Sequence, residues 1–199
     1  MALRVGVVGV QGDVSEHVRA LERFGERAAR DVAVTVVRRA GVIPACDAVV
    51  LPGGESTTIA RLVHDQGLAT ELVDHVEAGR ALLATCAGLI VAARDPRDDR
   101  VRALGLLDVA VERNAFGRQR ESFQVPLDVA GLDEPFPAVF IRAPVIVDTG
   151  STEVLASVDG RPVAVRDGPV VGTAFHPELT GDDRLHRLAL TGDVAPRRA

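Results

Sequence analysis

Alternation of apolar strand candidates with helical patterns, running from Leu3 to about Arg94, constrains this chain most. "LRVGVVGV" (Leu3 to Val10) is rich in β-branched residues and apolar at both alternating positions, as suits a central strand buried on both faces. The segment after it places Val14, Val18, Leu21 and Phe24 at helical spacing, with Asp13 as the expected N-cap. "VAVTVV" (Val32 to Val37), "DAVVLP" (Asp47 to Pro52) and "ALLAT" (Ala81 to Thr85) read as further strands. Helical patterns cover Thr57 to Asp65, Leu68 to Ala78 and the stretch from about Ala87. Such alternation predicts an α/β fold: a three-layer sandwich with a mostly parallel central sheet and helices on both faces.

Beyond Leu106 the pattern changes to short strand candidates: "LDVAVER", "FQVPLDVA", "AVFIRAPVIV", "EVLASV", "PVAVRDG" and "VVGTAF". With Asp159-Gly160 and Asp167-Gly168 as turn signals, they predict an antiparallel extension of the same sheet. A last helix is expected from Gly181 or Asp182 to about Leu190, capped by Thr180, with 192–199 as a frayed tail. At 199 residues, without a linker or internal repeat, the chain reads as one domain over 1–199.

Composition narrows the chemistry. All 23 basic residues are arginine, which excludes Schiff-base chemistry by a lysine of this chain. The net charge of -5, the absence of Trp and Tyr and the six Phe argue against a nucleic-acid surface. The first apolar run is too short for a membrane span and is interrupted where a signal peptide would continue, so the expectation is a cytoplasmic protein without membrane association. Cys46 and Cys86 form no disulfide framework and no C-x-x-C pair.

Cys86 stands where the strand "ALLAT" gives way to small residues and a helix. It is either a small buried hydrophobe or a nucleophile on a strand-to-helix corner, where the helix N–H groups favour a thiolate and can hold an oxyanion. A thiol nucleophile needs a base. Four of the five histidines, His17, His64, His75 and His186, fall on helical patterns among charged neighbours and read as solvated. His176 instead follows the strand "VVGTAF", with Pro177 and Glu178 behind it, on the rim where Cys86 is expected. Glu178 is placed to orient the imidazole as a third triad member does.

"PGGEST" (Pro52 to Thr57), "TCAG" (Thr85 to Gly88) and "FHPE" (Phe175 to Glu178) resemble, in order and spacing, the class I triad-type glutamine amidotransferases, whose fold is flavodoxin-like. "QGDVSEH" (Gln11 to His17), "RNAFGRQ" (Arg113 to Gln119), "FIRAP" (Phe140 to Pro144) and "TGDDRLH" (Thr180 to His186) are similar, more narrowly, to the glutaminase subunits of pyridoxal 5'-phosphate synthase. The resemblance runs from about Val5 to His186 and implies hydrolysis of L-glutamine to glutamate and ammonia. Cys86 would be the nucleophile, His176 the proton shuttle and Glu178 its orienting partner, with the ammonia passed to a synthase subunit in a large hetero-oligomer. It carries glutamine binding onto Gly53, Gly54, Glu55, Arg113, Ile141 and Arg142, the oxyanion hole onto Gly53, Gly54 and Ala87, and a partner interface onto Gln11. It implies no cofactor and no metal in this chain.

Two departures stand out: Ala84 where the family usually has Gly, and Gly9-Val10 where Leu-Ala is more usual. Glutaminases of imidazole glycerol phosphate or anthranilate synthesis typically carry Leu and Gln where Ala87 and Ile90 stand. A non-catalytic binding module of the same fold is the alternative, and the intact Cys-His-Glu set argues against it. Cys46 reads as packing, and "RDPRDDR" (Arg94 to Arg100) as a solvated loop.

Overall fold

The computed structural model describes residues 2–113 and 122–192. In chain order the elements are β1 (Leu3–Val8), α1 (Val14–Arg27), β2 (Val32–Val37), β3 (Ala48–Leu51), α2 (Ser56–Asp65), α3 (Leu68–Glu77), β4 (Ala81–Thr85), α4 (Ala87–Ala92) and β5 (Ala93–Asp95). They continue with β6 (Leu107–Glu112), β7 (Ser122–Leu127), β8 (Phe136–Ile141), β9 (Val145–Asp148), β10 (Glu153–Val158), β11 (Arg161–Asp167), β12 (Val170–Thr173) and α5 (Arg184–Thr191).

Seven strands form the central sheet in the order β10-β11-β12-β4-β3-β1-β2. β2, β1, β3, β4 and β12 run parallel, and β11 and β10 close one side antiparallel. The chain moves one way from β1 to β2 and the other way from β3 to β4, so right-handed crossovers put α1 and α5 on one face and α2, α3 and α4 on the other. Reversal of direction beside β1 and β3 opens a crevice at the carboxyl ends of the strands, the place where open α/β sheets bind ligands.

Local chemistry accounts for the elements that hold this crevice. β3 and β4 are buried on both faces except at the first residue of β4, so their near-continuous apolar runs leave no polar side to expose. α1 buries His17, Ala20, Leu21 and Phe24, one stripe at helical spacing. α4 lies so close to β3 that a Cβ on Gly88 would stand 2.1 Å from the Leu51 carbonyl oxygen and 2.9 Å from that of Pro52. Because both obstacles are backbone, Gly88→Ala is expected to push α4 off the sheet and cost about 3 kcal/mol. Urea unfolding at matched conditions measures this.

Four sequence expectations need correction. The antiparallel part divides: β10 and β11 join the main sheet, whereas β5-β6-β9 and β7-β8 form separate small sheets. "AVFIRAPVIV" is two strands, because Arg142 adopts φ 43 between β8 and β9 and turns the chain. The last helix begins at Arg184 rather than at Gly181 or Asp182. Thr180 instead closes a 3₁₀ turn over Pro177–Leu179, its hydroxyl donating to the Pro177 carbonyl at 2.9 Å and accepting from the Asp182 N–H at 3.1 Å. The Leu3 to Val10 strand ends at Val8. Most of "RNAFGRQ" and the tail from 193 onward lie outside the described residues. Among the described residues, no helix is long and apolar enough to cross a membrane.

Candidate active site

Four loops meet at the carboxyl end of the sheet, following β1, β3, β4 and β12. Cys86 follows β4 directly, with φ 49 and ψ -106, a conformation a non-glycine residue holds only at a cost of about 1 kcal/mol or more. The strain is fixed at both ends: the Cys86 N–H donates to the Thr173 carbonyl at 2.8 Å, and its carbonyl accepts from Ile90 in α4. Its side chain is thereby held at the mouth of the crevice and is 8% exposed. Ala84, two residues earlier, is registered with Gly172 of β12, whose missing side chain lets Leu89 and Leu107 lie against the sheet.

His176 comes from the β12 loop, and its backbone N–H donates to Val139 of β8 at 2.8 Å. Phe175 beneath it packs on Phe136 and Phe140, so the small β7-β8 sheet anchors the histidine. The His176 Nδ1 lies 2.7 Å from Glu178 Oε1. Burial alone would lower the His176 pKa, but hydrogen bonding to Cys86 and Glu178 outweighs it and lifts the value to about 10. Burial raises the Glu178 carboxyl, and the bond to His176 opposes that rise.

Gly53 lies beside both groups: a Cβ there would stand 2.8 Å from the His176 ring and 3.3 Å from the Cys86 Cβ. The Gly53 carbonyl accepts from the Asp13 N–H at 3.2 Å, so the Gly54 N–H, on the opposite edge of the same planar peptide, points away from α1. Gly54 has φ 151, and a Cβ there would stand 2.3 Å from Gln11 Oε1. That same Gln11 oxygen accepts from the Glu55 N–H at 2.9 Å. Gln11 therefore packs on the Gly53-Gly54 loop and braces it.

A cleft of ≈ 410 Å³ opens above these loops, lined by Gln11, Gly54, Glu55, Cys86, Ala87, Arg113, Ile141, Arg142 and His176 among others. Every site residue expected from the sequence thus reaches the cleft wall except Gly53 and Glu178, which lie behind it. Glu55 caps α2 through the Thr57 and Thr58 N–H groups, and bonds from Thr57 and Thr58 hold its carboxyl at about 2. Arg113 bonds Asp98 at 2.8 Å and Glu55 at 3.3 Å.

Sequence reasoning missed three features here. Asp13 occupies the N-cap position of α1 but makes no side-chain cap bond; its Oδ2 lies 3.5 Å from His176 Nδ1. Asp98, inside the segment read as a solvated loop, is half-buried and fixes Arg113. His17, His75 and His186 are fully buried rather than solvated, and half-buried His64 contacts the Arg102 carbonyl at 3.2 Å. The signal was spacing: each of those three sits on the apolar stripe of its helix. Asp13, His176 and Glu178 each bring a ligand-type atom within 4.8 Å of the others, a grouping that the His176–Glu178 hydrogen bond accounts for.

Comparison with known proteins follows the same line. The model of the SNO glutamine amidotransferase family matches residues 7–192. A Haloarcula marismortui protein named pyridoxal 5'-phosphate synthase subunit PdxT is 63% identical over 195 residues, covering 98% of this chain and 99% of its own. A Thermoplasma acidophilum protein of the same name is 50% identical, covering 92% and 90%. A crystal structure described as that of a glutamine amidotransferase superposes with a TM-score of 0.86 at 46% identity, covering 95% of this chain and 99% of that one.

Proposed function

The chain belongs to the SNO glutamine amidotransferase family, and from that premise we propose that it hydrolyses L-glutamine to L-glutamate and ammonia and supplies the ammonia to a pyridoxal 5'-phosphate synthase subunit. The observation that carries the reading is the alignment of Cys86, His176 and Glu178 at the ends of neighbouring parallel strands, with Cys86 held in a strained conformation facing the cleft.

His176, in its protonated form, holds the proton taken from Cys86, and the Cys86 sulfur attacks the side-chain amide carbon. The oxyanion that forms is stabilised by the Gly54 and Ala87 N–H groups, with Gly53 giving the backbone room to approach. His176 then protonates the amide nitrogen, ammonia leaves, and a γ-glutamyl thioester remains on Cys86. Water, deprotonated by His176, attacks the thioester; glutamate departs, leaving His176 protonated beside the Cys86 sulfur. Glu178 orients the imidazole throughout and stabilises its charged form. Arg113 and Arg142 hold the substrate's α-carboxylate, and the ionised Glu55 faces its α-ammonium group. Ile141 covers the aliphatic stem.

Gln11, braced on the Gly53-Gly54 loop, lies where a docked synthase subunit would reach the oxyanion donors. The working form is a large hetero-oligomer in the cytoplasm, acting on glutamine rather than on nucleic acid and holding no cofactor of its own. Glutamate release by the purified chain, alone and with a pyridoxal 5'-phosphate synthase subunit, tests this. Release that rises with the synthase is expected. Absence of release from a folded, assembled complex would favour a non-catalytic module.

A further inference from the structure

Behind the triad lies a second, fully buried pair of histidines that the mechanism above does not use. His17 of α1 and His186 of α5 meet with Nδ1 of His17 3.0 Å from Nε2 of His186. The other His17 nitrogen, Nε2, lies 3.2 Å from Thr85 Oγ1 and 3.4 Å from Glu178 Oε2. Glu178 Oε2 is buried and forms no hydrogen bond among the described residues, the His17 Nε2 approach being an electrostatic contact, and His186 Nδ1 forms none either.

Of the two proton placements, one leaves the less costly orphan. If His17 carried its proton on Nδ1, it would donate to His186, whose own proton would then sit on Nδ1, buried and without an acceptor. The bare His17 Nε2 would also face a carboxylate oxygen, lone pair against lone pair. With the proton on Nε2 in both rings, His186 donates to His17, His17 donates toward Glu178 and Thr85, and the atom left over is an unprotonated His186 Nδ1. An unpaired buried acceptor is the less costly orphan. Both rings are fully buried, and burial holds both in the neutral form.

We infer that His17 is a positioning residue for the triad: its Nε2–H faces the second oxygen of Glu178, and His186 fixes the His17 ring in the tautomer that can do so. This rests on the glutaminase reading. The charged and titratable groups facing the relay are His176 and Asp13 at Glu178, His176 at His17, and Arg23 and Asp182 at His186. Removing the His17 N–H takes away the positive dipole end facing this buried oxygen, which raises the proton affinity of Glu178 and weakens its hold on His176.

Two experiments test the assignment. Nitrogen-15 NMR of the histidine rings in the wild-type chain is expected to show both His17 and His186 as Nε2–H tautomers; a His17 protonated at Nδ1 overturns the inference. In the glutaminase assay with the synthase subunit, His17→Leu is expected to lower kcat about tenfold, the factor for one polar contact to a charged group. Its KM for glutamine should change less than about twofold, since His17 is remote from the cleft wall, and the acid limb of kcat/KM should move to higher pH. His17→Gln, which keeps a donor near the same point, should restore most of the loss. An unchanged kcat and acid limb in His17→Leu, or equal losses in folded Leu and Gln variants, overturns the inference. Absence of glutamate release from the wild type would instead overturn the glutaminase reading, and the NMR result stands apart from it.

Discussion

Cys86→Ala is expected to reduce glutamine hydrolysis by at least about 10³-fold, because the covalent step runs through the Cys86 sulfur. Asn in place of His176 should cost a similar factor, and the double variant should be no worse than either single one. Residues that act as one unit lose the same function once. Steady-state glutamate release in the presence of the synthase subunit measures all three. Stability should move independently of activity. Since Cys86 holds φ 49, a glycine there relieves the strain that alanine retains. Cys86→Gly should therefore be inactive yet about 1 kcal/mol more stable than Cys86→Ala in urea unfolding. Equal stability of the two would mean that the corner stores no strain.

The second large effect is on stability against acid. Burial holds His17 well below 6.5, His75 below 6.5 and His186 at about 3. In the unfolded chain these rings take up protons near 6.5, whereas the folded protein refuses them. Stability therefore falls as pH drops below 6.5, at about 1.4 kcal/mol per pH unit for each ring held neutral. His17 and His186 should carry most of this loss, with a smaller part from His75. Glu178 acts in the opposite sense: its raised carboxyl binds a proton more readily in the folded state above 4.5, offsetting part of the loss. On the alkaline side, the stabilisation from His176 is complete below 6.5 and is lost as pH rises toward about 10. Maximum stability should thus lie near neutral pH. Denaturant unfolding across this range checks the curve, and a flat acid limb would mean that the buried rings accept protons without unfolding.

Those buried histidines also show where the sequence was and was not legible. β2, β4 and β10 fell on the expected residues, because a β-branched run bounded by turn residues has few alternatives. The approach of Cys86 and His176 could be foreseen because strand ends in a parallel sheet share one rim. His17, His75 and His186 were misread because the charges beside them outweighed their place on apolar helix stripes. In "AVFIRAPVIV" apolar residues stand on both sides of Arg142, and Arg142 and Pro144 were the only local signs of the break that Arg142 makes. Asp13 read as a helix cap because its position is right for one; only the arrival of His176 from the far end of the chain shows where its carboxylate faces.

Rapid acid quench of the chain with its synthase subunit during glutamine turnover, followed by peptide mass analysis, tests the central claim most directly. The account predicts a γ-glutamyl adduct on the peptide containing Cys86, absent from Cys86→Ala. Glutamate release that proceeds without the adduct and persists in Cys86→Ala would contradict it.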